Sequence, residues 1–205
     1  MPNSFRFLAL TVGILLISSM PFAVPYLGEV NHDVKRDRII AIAEDYASLY
    51  WYCGPENIDY SGYWGATSPD PTVGWKTGSK YCWGGEDTTA QYFEKIANGW
   101  GAGNRWCNGS SSYDTFCAGD DCSGMASNAW TSPRRYTASF DQISDDIAWE
   151  DLRMGDATNN AGSHIRLFDY FTDDTHTAML YESTSGGGTI WAMVHRSLAR
   201  ESGYQ

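Results

Sequence analysis

The last third of the chain alternates with a period of two, and this limits the possible folds more than any other feature. Residues 163–171 (SHIRLFDYF), 177–182 (TAMLYE) and 189–195 (TIWAMVH) carry aromatic or β-branched residues in alternation. TDD and SGGG lie between them, connections too short for a crossover helix, so the strands pair antiparallel as a meander. Earlier segments follow the helical period. Over 33–52, Ile39, Ile40, Ile42, Ala43, Tyr46 and Leu49 recur at that spacing behind Asp33 as N-cap. The pattern returns over 88–100 with Phe93, Ile96 and Ala97. A short third helix is expected over 122–130, capped by Asp120 or Asp121. Gly-, Pro- and Ser-rich stretches at 54–85 and 101–119 read as irregular connections. Helices packed on a C-terminal antiparallel meander of three to five strands make an α+β layer fold.

Arg6 precedes an apolar run over 7–20, which small residues, Pro21 and Pro25 then end. This is the anatomy of a secretory signal peptide, assigned to residues 1–24, and too short for a full span. Residues 25–205 then form one secreted domain with no membrane span of its own. Asp and Glu number 25 against 14 Lys and Arg, a net charge of −11. Such a surface repels phosphate backbones, and the densest basic cluster is only Lys35, Arg36 and Arg38, so no nucleic-acid partner is expected. Five cysteines follow the export segment: Cys53, Cys82, Cys107, Cys117 and Cys122. In an oxidising compartment an odd count leaves at least one thiol over or pairs it between chains. No C-x-x-C pair occurs, so neither a structural zinc nor any other cofactor is called for.

The chemistry points to Cys122 as that thiol. It opens the third expected helix, where unpaired N–H groups and the helix dipole stabilise a thiolate, so a lowered pKa is expected. Such a nucleophile needs an imidazole, and His164 opens the first strand of the meander. One cysteine and one histidine are weak evidence, but their neighbours form a pattern. Tyr81-Cys82-Trp83-Gly84-Gly85, Asp121-Cys122-Ser123-Gly124, Leu152-Arg153-Met154-Gly155-Asp156 and Ser163-His164-Ile165 follow one another in order. Over roughly 80–195 the chain resembles the NlpC/P60 cysteine peptidases, secreted enzymes with a papain-like core that mostly cut bacterial cell-wall peptides.

The resemblance implies that Cys122 is the nucleophile and His164 the general base. It assigns Tyr81 and Asp121 to a subsite for the substrate's free amine, with Ser123 beside them among the substrate-binding residues. The implied substrate is a cell-wall peptide or glycopeptide. An acyltransferase on the same core, and a non-catalytic glycan- or glycopeptide-binding module built from the abundant Trp and Tyr, are the alternatives. The chain departs from the family in an insertion at about 86–119, in Met154 for Pro, and in Arg166 where a small residue is usual. Arg166 lies two residues from His164 and so shares its face of the strand. It either anchors a substrate carboxylate or forms a structural ion pair.

Two residues compete to orient His164. With residues 172–174 as the turn, position 164 faces 182, and Glu182 can accept the imidazole's Nδ1–H. An even-numbered loop would turn Glu182 to the other face, and a bulge would restore it. His176 lies near the turn, and with Asp173 and Asp174 it suggests either a metal ligand set or a solvated turn. The solvated turn is favoured, and no metal site is assigned. Of the three connectivities open to the other four cysteines, Cys107–Cys117 with Cys53–Cys82 is favoured, because the first closes a Gly- and Ser-rich loop.

Overall fold

The computed structural model describes residues 36–58, 72–103, 117–174, 176–185 and 192–204. Residues 1–24 and Cys107 lie outside them. Helix α1 spans Arg36–Ser48 and buries Ile39, Ile40, Ala43 and Tyr46 on one face. It ends four residues short of the expected limit. Tyr50–Cys53 (YWYC) instead forms strand β1, alternating exposed and buried side chains and pairing antiparallel with β2, Gly74–Thr77. Aromatic residues fit a pleated, half-buried surface better than another helical turn. The outward Tyr50 stacks on Trp75 at 4.7 Å, while the inward Trp51 donates to Gly78 O at 3.0 Å.

Helix α2, Thr89–Ala97, is closed by a capping box in which Thr88 and Gln91 satisfy each other's backbone N–H groups. Its buried Tyr92 and Ile96 pack with Leu49, Trp51, Ile58 and Ala102 in a core of their own. The short strands β3, Gly101–Ala102, and β4, Cys117–Ala118, pair in parallel and lead the chain to the candidate nucleophile. Helix α3, Cys122–Ala129, begins there with Asp121 as N-cap.

Four antiparallel strands complete the fold in the order β5 (Ala157–Asn160), β6 (His164–Phe171), β7 (Thr177–Thr184) and β8 (Ala192–Ala199). Strand β5 was not expected, because ATNN offers no apolar alternation. Helices α1 and α3 pack on one face of the sheet through Tyr46, Met125, Ala126, Ile165, Leu167 and Tyr181. Trp149, Leu152, Phe168, Ala178 and Leu180 form a smaller cluster beyond it. The α+β arrangement with a C-terminal antiparallel sheet therefore stands. Among the described residues, no helix is long and apolar enough to cross a membrane.

Of the favoured cysteine scheme, the Cys53–Cys82 pair is overturned. Cys117 is disulfide-bonded. Cys53 and Cys82 are not joined and both remain thiols. Cys53 packs in the α2 core against Leu49 and Trp51, whereas Cys82 packs against Cys117, so the two belong to separate clusters.

Candidate active site

The start of α3 is where the chain's local chemistry is densest. Asp121 Oδ1 accepts from Gly124 N at 2.6 Å and Ser123 Oγ at 2.8 Å, satisfying donors that a helix start leaves open. Its Oδ2 accepts from Gly84 N at 3.0 Å, tying the Tyr81–Gly85 turn to the helix, and from Arg134 Nη2 at 2.7 Å. Four donors thus occupy the carboxylate proposed for the amine subsite. Ser123 is buried and spends its hydroxyl on Asp121. Tyr81 is buried beside Cys122, and burial first, then the neighbouring Cys122 and Asp121, push its phenol above the ordinary value.

Cys122 is a free thiol, as its helix-start position and the odd count had suggested. Its expected low pKa is not found. Burial, then the charge of Asp121, push the thiol up to about 12, against hydrogen bonds from the Ile165 and Ser123 backbones and the charge of Arg134. The helix start alone does not offset a dry setting beside a carboxylate.

His164 lies at the head of β6. Its Nε2 meets Glu182 Oε2 at 2.6 Å. Glu182 is fully buried, and burial would raise its pKa. The hydrogen bond and charge of His164, with the charge of Arg166, prevail and hold it down at about 2. An ionised carboxylate only accepts, so Nε2 carries the proton and Nδ1 is left as the basic nitrogen. The expected contact through Nδ1 is therefore corrected to Nε2.

The register that brings the pair together also differs from expectation. Phe171 pairs with Ala178 across residues 172–177, an even-numbered connection that by itself turns Glu182 away from His164. A bulge at Asp169 adds one residue to β6, and beyond it Leu167 pairs with Tyr181. One step further, Arg166 stands across from Glu182, with His164 on the diagonal. Arg166 Nε donates to Glu182 Oε2 at 2.8 Å and its Nη1 to Glu201 at 3.1 Å, while Tyr204 lies 4.2 Å from the guanidinium. These are the contacts of the structural ion pair rather than of an open carboxylate anchor.

His176 is exposed and remote from His164. Its backbone N–H and that of Thr177 donate to Asp173 Oδ1, each at 2.9 Å, and its Nδ1 meets Asp174 at 3.0 Å. Although Asp173, Asp174 and His176 form the one cluster with metal-ligating geometry among the described residues, these contacts make it a self-satisfied turn.

Two cavities flank Cys122. One, of about 340 Å³, is lined by Tyr81, Trp83, His164, Arg166, Thr184 and Arg196 among others. The second, of about 330 Å³, is walled by Trp83, Glu86, Asp121, Arg134 and Tyr136. Arg134 and Arg196 were missed in the sequence. Arg196 pairs with Glu182 Oε1 from β8. Arg196 lies one residue past the expected strand, and the observed register, with Arg196 across from Leu180 and Val194 across from Glu182, puts it on the Glu182 face. Arg134 follows α3 in a Pro-Arg-Arg run without periodicity, so nothing local marked it. No family model matches the sequence, and no curated protein or solved structure matches it.

Proposed function

We propose that the protein is a secreted cysteine hydrolase that cleaves amide bonds in peptidoglycan stem peptides, on a papain-like core of the NlpC/P60 type. The observation that carries this reading is the hydrogen bond from His164 Nε2 to Glu182, in a residue that shares a cavity with the free thiol of Cys122. It leaves Nδ1 as the base. With substrate bound, Nδ1 takes the thiol proton as Sγ attacks the carbonyl carbon, and the ionised Glu182 stabilises the imidazolium. The tetrahedral oxyanion is met by N–H groups at the start of α3. The imidazolium then protonates the leaving amine, and a thioester to Cys122 remains. Water, deprotonated by the same nitrogen, releases the acid and restores the thiol.

A high resting thiol pKa fits proton transfer in concert with attack better than a standing thiolate–imidazolium pair. Tyr81, Asp121 and Ser123 border the acyl side of the cleft in this reading. The test is digestion of purified cell-wall sacculi, with fragments identified by mass spectrometry. Wild-type protein should release peptides with new amino and carboxyl ends, and Cys122→Ala should release none. Equal release by both, or none by either, contradicts the proposal.

A further inference from the structure

We infer that the cavity walled by Arg134 takes a substrate residue whose amine is acylated, so that the enzyme cuts within a chain rather than next to a free amino terminus. The inference rests on the hydrolase reading above and deepens it. A free ammonium needs an available carboxylate, and the cavity's inner carboxylate is already occupied. Asp121 accepts from Gly124 N, Ser123 Oγ, Gly84 N and Arg134 Nη2, all within 3.0 Å. The Arg134 and Asp121 side chains are only 16% and 12% exposed, so solvent screens the pair weakly.

The guanidinium is held from three sides. Its carbon lies 5.3 Å from the centre of the Tyr136 ring. It also lies close to the first turn of α3, where a Cβ on Gly124 would come within 2.9 Å of Nη1. The tighter demand for glycine at 124 comes from the Gly85 carbonyl, which a Cβ would meet at 2.1 Å. Glu86 remains as a second carboxylate, 3.9 Å from Arg134 Nε, but it is 60% exposed at the rim and would hold an ammonium weakly. An incoming cation therefore meets a fixed guanidinium beside a neutralised aspartate. An acylated nitrogen brings no charge, and the exposed rings of Trp83 and Tyr136 offer it apolar walls.

The experiment uses two peptides of stem-peptide sequence that differ only in acetylation of the α-amine on the residue whose carbonyl is attacked. Each is assayed for cleavage by wild type, Arg134→Gln and Arg134→Lys, and for binding to Cys122→Ala. Wild type should cleave the acetylated peptide at least as well as the free one, within about threefold. Arg134→Gln removes the charge and should shift the ratio of kcat/KM about tenfold or more toward the free amine. Arg134→Lys keeps the charge and should retain the wild-type ratio. A wild-type preference of tenfold for the free amine overturns the inference while leaving the hydrolase reading intact. Equal shifts in both variants show a merely structural role and also overturn it. If neither peptide is cleaved, the hydrolase reading fails, and binding decides the inference: acetylated peptide bound at least as tightly supports it, and tighter binding of the free amine, or no binding, overturns it.

Discussion

A carboxylate that meets an imidazole and two guanidiniums in the protein interior has little freedom left. Glu182 is such a group, holding His164 and Arg166 on Oε2 and Arg196 on Oε1. Its ionised state fixes the His164 tautomer, and its removal strands two arginines in surroundings built around its charge. Glu182→Ala should therefore lower kcat by about 100-fold or more and cost about 3–5 kcal/mol of stability. His176→Ala should change neither, because that ring sits exposed in its own turn. Denaturant melts and kinetics on the same two variants check both statements. The Glu182 contact with His164 was expected from an odd-numbered turn, whereas the observed even-numbered connection reaches the same face only through the bulge in β6. The ring nitrogen was not legible, because strand parity sets the face on which the imidazole lies and not the rotation of its ring. Arg166 illustrates the same limit: parity placed it on the His164 face, but Glu201 and Tyr204, which help engage it, lie beyond any period.

At the scale of elements, the sequence located α2, α3, β6 and β7 closely, although α3 is buried nearly all round and β6 and β7 bury both faces over part of their length. Hydrophobic periodicity overran α1 into β1, where aromatic residues suit either period and only the partner strand decides. It missed β5, whose ATNN is held by its pairing with β6 rather than by apolar side chains. The bulge at Asp169 was legible only as a possibility, because a turn's length is decided by its own hydrogen bonds. Here Asp173 Oδ1 collects two backbone N–H groups and sets that length. Cap chemistry, by contrast, reads directly. Thr88→Ala should cost about 1 kcal/mol by opening the capping box of α2. Because α2 lies outside both cavities beside Cys122, hydrolysis at low temperature should be unchanged. A lowered Tm with intact kcat/KM is the expected pair of results.

Over the whole molecule, two buried carboxylates set opposite dependences on pH. Asp120 is fully buried and accepts the Ser79 hydroxyl at 2.6 Å on Oδ1, and Oδ2 has no hydrogen-bond partner among the described residues. Burial raises its pKa from 3.8 to about 8. The folded state thus keeps a proton that the unfolded chain gives up, and stability falls as pH rises across that window. Glu182 acts in the other sense. Its depressed pKa contributes stability above about 4.5, lost as pH falls toward 2. Unfolding midpoints should therefore decline from pH 5 to pH 8, and Asp120→Asn, which can still accept from Ser79, should flatten that decline. The central claim is that Cys122, His164 and Glu182 act as one unit, and its most direct measurement needs no substrate. Iodoacetamide labelling of the unreduced protein, mapped by mass spectrometry from pH 6 to pH 9, reads the reactivity of Cys122 alone. The account predicts labelling that is slow at pH 6 and rises with pH, and that falls tenfold or more at pH 8 in both His164→Ala and Glu182→Gln. Labelling of Cys122 at the same rate in all three proteins would contradict it.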